Sequence, residues 1–154
     1  MAYEKLALPV FNQYMKSKKP VGIMFIDADH LKYINDTFGH DMGNLAISSI
    51  ASVIRQHCPA NSVSMRYGGD EFVFGYEGDI SKEELDRKVK KVYDILNKGY
   101  TRGDLLKNMS VPCSIGIVTA IGGSFDYAKL LKEADNAMYD AKINGKNTYV
   151  IREL

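Results

Sequence analysis

Two carboxylate pairs in this sequence stand where packing alone gives them no reason to be. Asp27 and Asp29 follow directly on the apolar run Val21-Gly22-Ile23-Met24-Phe25-Ile26. Such a run reads as a strand buried on both faces, so the acids fall where the strand gives way to a helix. Carboxylates in that position can hold Mg²⁺, and the free backbone N–H groups of His30 and Leu31 can receive phosphate oxygens. Asp29 equally suits the N-cap of the following helix. The second pair, Asp70-Glu71, comes straight after Gly68-Gly69. Adjacent carboxylates repel unless a cation or base pairs with them. With a two-residue turn, Arg66 would stand across from Glu71 and leave Asp70 unpartnered. A divalent ion shared by Asp27 and Asp70 satisfies both, and a solvated turn is the bland alternative. Lys142 and Lys146 flank Gly145. They are cations favoured at a helix C-terminus, and they are also candidates for gripping a triphosphate tail.

The elements that must position these residues follow from periodicity. Residues 3–17 read as a helix, with Leu6, Val10 and Tyr14 four apart and Pro20 breaking it. After the first strand, Leu31, Ile34 and Phe38 recur at helical spacing and Gly39 ends the helix. A longer helix carries Met42, Ala46, Ile50 and Val53-Ile54 on one side, and Pro59-Ala60-Asn61 reads as a loop. Val63, Met65 and Tyr67 alternate before Gly68-Gly69, and Phe72, Phe74 and Tyr76 alternate after it, which predicts a hairpin. Ser81-Lys82-Glu83-Glu84 is a capping box, opening a helix that faces the core with Leu85, Val89, Val92 and Leu96. Met109, Val111, Cys113, Ile115 and Ile117 alternate as a strand, and Pro112 places its start late or at an edge. Tyr127, Leu130-Leu131, Ala134, Met138 and Ala141 form a helix closed by Gly145, and Thr148-Tyr149-Val150-Ile151 is a last strand. The order predicts an α/β sandwich, a mixed sheet with helices, in the manner of split βαβ folds.

Composition narrows the function classes. The 154 residues suit one domain, and 45% hydrophobic with 25% charged residues is ordinary for a globular chain. A net charge of +1 argues against a nucleic-acid or polyanion binder, though not against a small phosphate ligand. Cys58 and Cys113 belong to no CxxC or Cys/His cluster, so two reduced, buried thiols are expected rather than a disulfide or zinc site. No apolar run approaches the ~18 residues of a membrane span and no signal peptide is visible, which predicts a cytoplasmic chain.

These residues together resemble one family. Arg66-Tyr67-Gly68-Gly69-Asp70-Glu71-Phe72 contains the GGDEF signature of the diguanylate cyclases. The segment from Phe25 to His40 is similar to the family's D-x-D-x-F-K-x-x-N-D-x-x-G-H run, with Leu31 in place of Phe. Ser114-Ile115-Gly116 resembles its S-I-G strand, and Ala134 to Asn147 resembles its A-D-x-A-L/M-Y-x-A-K-x-x-G-R/K-N helix end. The resemblance implies a palm-like α+β fold with a ferredoxin-like core, related to class III nucleotidyl cyclases. It implies the condensation of two GTP into cyclic di-GMP with release of two pyrophosphates. It places two Mg²⁺ per site, with Mn²⁺ as a substitute, on Asp27, the carbonyl of Ala28, and Asp70. Asp70 becomes the general base, Glu71 an essential neighbour of the metals, and Lys32 a transition-state cation. Asn35, His40 and Asn44 would contact the nucleotide, with Asn35 on guanine, while Lys142 and Lys146 would hold the terminal phosphates. A two-fold homodimer is implied, because each site holds one GTP and two must face each other. The expected organisation is one such domain over 1–154, with 1–20 a helix or linker remnant and 21–151 the core, cut from a larger sensor protein.

Departures from the family pattern carry their own expectations. The family's R-x-x-D product-binding pair is replaced by Pro59-Ala60-Asn61-Ser62, so no product inhibition is expected there. Asn44 stands where the family usually has Asp. An amide offers guanine one acceptor and an unwanted donor, which predicts weaker GTP affinity or relaxed purine choice. Lys146 stands where Arg is common, and the D-x-L-T-x-L-x-N-R entry segment is missing. The alternative function is a catalytically weak GTP-binding module that regulates or dimerises.

Overall fold

The computed structural model describes residues 4–16, 18–57, 62–78, 81–98, 111–121 and 126–154. Along the chain these form α1 (Glu4–Lys16), β1 (Pro20–Ala28), α2 (Leu31–Phe38), α3 (His40–His57), β2 (Ser62–Arg66), β3 (Glu71–Glu77), α4 (Lys82–Lys98), β4 (Cys113–Ile121), α5 (Tyr127–Ile143) and β5 (Thr148–Glu153). The strands make one mixed sheet in the order β2-β3-β1-β4-β5. Only the β4–β5 pair is parallel, joined through α5 as a β-α-β unit. The element order agrees with the periodicity. Cys58, the loop at Pro59-Ala60-Asn61, and Met109 lie outside the described residues.

The unbroken apolar run 21–26 marks the central strand. β1 pairs antiparallel with β3 on one side and β4 on the other, and helices cover both faces. Period-two alternation sorts its side chains. Met24, Ile26 and Ala28 join Phe72, Phe74, Ile115 and Ile117 beneath Ile50 and Val53 of α3 and the apolar stripe of α4. Val21, Ile23 and Phe25 face the other way, onto Phe11 of α1 and Leu130, Ala134 and Met138 of α5. The four residues chosen for α4, Leu85, Val89, Val92 and Leu96, are all buried.

The anchor of α1 is Phe11, with Tyr14 packed beside it on the core. Phe11 is fully buried, stacked on Tyr127 at 4.8 Å, in space left by Gly75. A missing side chain on β3 selects this register, and a periodicity count along α1 cannot detect that. Pro112 immediately precedes β4, which begins at Cys113, a buried free thiol.

Gly116 explains why α5 lies so close to the sheet. A Cβ there would drive into the α5 backbone at Ala134, Ala137 and Met138. Backbone cannot swing aside as a flexible side chain can. Gly116→Ala is therefore expected to lower stability by about 1–3 kcal/mol, the usual range for overpacking. Urea unfolding checks this, and a loss under ~0.5 kcal/mol, the range of ordinary surface changes, would show that α5 can shift freely.

Candidate active site at the end of the central strand

β1 ends by delivering Asp27 into the sheet's interior, where the residue is 3% exposed. Its register partner on β3 is Glu71. One step further, the Ala28 N–H donates to the carbonyl of Asp70 at 3.1 Å. Antiparallel pairing thus brings the two acid pairs, more than forty positions apart in sequence, to one end of the sheet.

A buried carboxylate needs compensation, and Asp27 has half of it. Its Oδ2 accepts from the Nζ of Lys142, which α5 holds over the strand. Its Oδ1 is buried with no hydrogen-bond partner. Burial raises the Asp27 pKa to about 6. The Lys142 bond opposes the rise, and the charges of Asp70 and Glu71 add to it. Glu71 is raised for kindred reasons: burial first, then Asp70 and Asp135, against Lys142. For Lys142, burial alone would lower the pKa. The hydrogen bond and charge of Asp27, with Asp29 and Asp70 behind, more than reverse that and keep the ammonium charged.

Among the described residues, no group of three or more His, Cys, Asp or Glu side chains is placed to hold a metal ion. The donor set offered here is narrower: two carboxylates, Asp27 and Asp70, and the carbonyl of Ala28. All are hard oxygen donors, the kind Mg²⁺ takes while keeping several waters. Such an ion would satisfy the orphaned Oδ1 of Asp27, so these residues fit the group.

Asp29 is not the N-cap that its position before the helix suggests. The N-cap of α2 is His30, with no side-chain capping bond. Asp29 instead accepts from Ser114 Oγ at 2.5 Å through Oδ1 and from the Asn147 N–H at 2.8 Å through Oδ2. Protein donors thus engage both of its oxygens. The signal was legible in the motif matches at Ser114 and Asn147, but only folding brings these residues together.

The hairpin also differs from expectation. Arg66 pairs with Phe72, not Glu71, and the connection runs from Tyr67 to Asp70. Neither glycine adopts the left-handed backbone of a two-residue turn. The Arg66 guanidinium reaches back instead, donating to the carbonyls of Gly68 (3.2 Å) and Gly69 (2.6 Å). It braces the turn and leaves Glu71 to the acid cluster.

Beside this cluster opens a groove of about 470 Å³ between α2, α3 and the hairpin. Leu31, Lys32, Asn35, His40, Asn44 and Asp70 all line it, half of the site residues chosen from sequence. Arg66, Asp36 and Gly43 line it too and were not singled out. Gly43 has a visible purpose, since a Cβ there would collide with the Asn35 amide, which lies against α3. Lys142 stands at the acid cluster, on Asp27, rather than in the groove. His30 is exposed at the start of α2, and Lys146 is exposed in the turn after α5. The stretch 59–61 lies outside the described residues.

A mixed sheet under helices, with a carboxylate cluster beside an amide- and lysine-lined groove, defines an α+β domain with a polar cleft at the end of its central strand. Comparison with known proteins narrows this. The family model described as "Diguanylate cyclase, GGDEF domain" matches residues 2–148, and the chain belongs to that family. Response regulator PleD of Caulobacter vibrioides is 32% identical over 131 residues, 85% of this chain and 29% of PleD. Diguanylate cyclase DosC of Escherichia coli K12 is 30% identical over 128 residues, 83% of this chain and 27% of DosC. The chain thus spans less than a third of these relatives. Among solved structures, the GGDEF domain of YfiN (TpbB) from Pseudomonas aeruginosa superposes with a TM-score of 0.86 at 25% identity, covering 100% of this chain and 98% of that one. The GGDEF domain of DgcB from Caulobacter crescentus, in complex with c-di-GMP, gives 0.83 at 21% identity, over 98% and 91%.

Proposed function

We propose that this domain condenses two GTP into cyclic di-GMP, releasing two pyrophosphates, in a Mg²⁺-dependent reaction across a homodimer. The observation that carries this reading is the juxtaposition of a half-satisfied buried carboxylate, Asp27, with Asp70 and the adjoining groove. In each half-reaction the 3′-oxygen of one nucleotide bonds to the α-phosphorus of the other. The bond from that phosphorus to the bridging oxygen breaks, and pyrophosphate leaves. Asp70 takes the 3′-hydroxyl proton. Lys32, in the groove, stabilises the charge that grows on the phosphoryl oxygens, and Lys142 and Lys146 serve the terminal phosphates. Asn35, His40 and Asn44 position the nucleoside, and the N–H groups of His30 and Leu31 receive phosphate oxygens. Magnesium, two ions per site or manganese in their stead, supplies a lowered hydroxyl pKa and neutralisation of the leaving group when bound by Asp27, Asp70 and the Ala28 carbonyl. One groove serves one nucleotide, so attack between nucleotides needs two grooves facing across a two-fold axis. PleD and DosC support the reading by kinship, and the DgcB complex shows a protein of this fold holding c-di-GMP.

The test is incubation of concentrated protein with GTP and MgCl₂, followed by chromatography for cyclic di-GMP and an assay for pyrophosphate. Product with both components supports the reading. GTP binding without product assigns the chain to a regulatory or dimerising role instead.

Asn44 sets a second expectation. Guanine presents two adjacent N–H donors, and an amide can accept only one of them. Asn44→Asp is expected to raise the GTP-over-ATP preference by about 5-fold or more, the lower end of a ~1–3 kcal/mol bidentate contact. Competition of GTP and ATP for wild type and variant measures this. An unchanged ratio would remove Asn44 from base recognition.

A further inference from the structure

α5 closes through a left-handed turn. Gly145, Lys146 and Asn147 have φ of 109°, 62° and 47°. The Lys146 N–H returns to the Ala141 carbonyl at 3.1 Å, in the manner of a helix C-cap. Gly145 adopts its angle freely and Asn147 tolerates its own, but Lys146 carries a side chain that disfavours its angle. Neighbouring elements hold the turn in place. The Asn147 N–H is bound by Asp29 Oδ2, and Asp29 Oδ1 is bound in turn by Ser114 Oγ, on a residue that is fully buried in β4. A second strut, Asn147 Nδ2 to Asn97 Oδ1 at 3.0 Å, ties the same turn to α4. Lys142, whose ammonium rests on Asp27 Oδ2, lies in the last turn of α5, just before this clamp.

We infer that Asp29 is a positioning residue: by clamping the 145–147 turn to the end of β1 and to β4, it sets Lys142 on Asp27 Oδ2 and leaves Oδ1 as the open oxygen of the acid cluster. The inference rests on the proposed function only for its consequence in turnover, since the clamp itself is a property of the fold. Two aspartates at the strand end thus divide the work. Asp27 faces the chemistry, and Asp29 holds the lysine that Asp27 needs. Without the clamp the end of α5 keeps only the exposed Asn147–Asn97 strut as an external anchor, and its last turn is freer to fray.

The test compares Asp29→Ala, Asp29→Asn and Ser114→Ala with wild type and Asp27→Asn. Asparagine preserves the clamp, because its carbonyl can accept from Asn147 while its amide donates to the rotatable Ser114 hydroxyl. Three readouts are taken. Labelling of Lys142 by trinitrobenzenesulfonate in nucleotide-free protein, mapped by mass spectrometry, reports where the ammonium sits. Mn²⁺ titration followed by electron paramagnetic resonance reports the cation site. Turnover of GTP reports function. Asp29→Ala and Ser114→Ala are expected to raise Lys142 labelling several-fold. Asp29→Asn is expected to label as wild type and to bind Mn²⁺ as wild type, while Asp27→Asn does not bind it. Turnover is expected to fall about 100-fold in Asp29→Ala, the scale of a 1 Å misplacement, and to be rescued in Asp29→Asn. Loss of Mn²⁺ affinity in Asp29→Asn would make Asp29 a ligand and overturn the inference. So would unchanged Lys142 labelling in a folded Asp29→Ala or Ser114→Ala protein. If wild type itself makes no product, the labelling and Mn²⁺ results still decide the clamp, and only the proposed reaction fails.

Discussion

Asp27→Asn is expected to reduce turnover of GTP by about 10³-fold or more while making the metal-free fold more stable at neutral pH. The first effect follows from the cation site, since an amide presents one neutral acceptor where an anionic ligand stood. The second follows from burial. The Asp27 carboxyl titrates near 6 in the fold against 3.8 for an unperturbed group, because desolvation outweighs the help of Lys142. A folded-state pKa above the unfolded one means that the native protein binds the proton more tightly. Stability from this group is therefore greatest below about pH 4, falls as pH rises toward 6, and stays lower above that. The difference amounts to at most about 3 kcal/mol. Asp27→Asn removes that slope, and the partly exposed Lys142 can turn to solvent. Urea unfolding in EDTA at pH 4.5 and pH 7.5 checks this as the difference between variant and wild type. A variant less stable than wild type at pH 7.5 would show that the Lys142 ion pair, and not desolvation, dominates at Asp27. Turnover within tenfold of wild type would remove Asp27 from the reaction.

Asp70→Asn is expected to lower kcat by about 10²–10⁴-fold, the range for loss of a general base, with part of the fall due to a weakened cation site. The backbone should not move. The structural bond at this position runs from the Ala28 N–H to the Asp70 carbonyl, which the substitution leaves intact. Relief of repulsion on Asp27 and Glu71 acts in the stabilising direction. The variant should consequently keep its unfolding midpoint and keep binding 3′-deoxy-GTP, which fills the groove without offering the attacking hydroxyl. Loss of 3′-deoxy-GTP binding together with turnover would assign Asp70 to substrate binding rather than to proton transfer. Unchanged kcat would exclude it as the base.

Much of this arrangement was legible one residue at a time. The apolar run 21–26 declared a strand buried on both faces, and β1 is that strand. The stripe 85-89-92-96 declared the buried face of α4. The four motifs declared the family, because their residue types recur at set spacings. What was not legible depends on contacts between segments far apart in sequence. Asp29 looked like a cap or a ligand, since a carboxylate at a helix start serves either purpose. Its actual partners, Ser114 and Asn147, lie 85 and 118 positions away. Arg66 looked like a partner for Glu71 because a diglycine suggests the tightest turn. The observed register instead pairs it with Phe72 and turns its guanidinium onto the glycine carbonyls. Lys142 looked like a phosphate ligand by analogy, and its ammonium rests on the buried carboxylate of Asp27.

The amino-acid order by itself determined the secondary structure, the inventory of acids and cations, and the family, because periodicity and local spacing are properties of the chain. Only the tertiary structure decided which oxygen of which aspartate is left open. That choice is made by strand register and by how closely α5 lies on Gly116. Both are settled by packing across the sheet, where no neighbour in the sequence has a say.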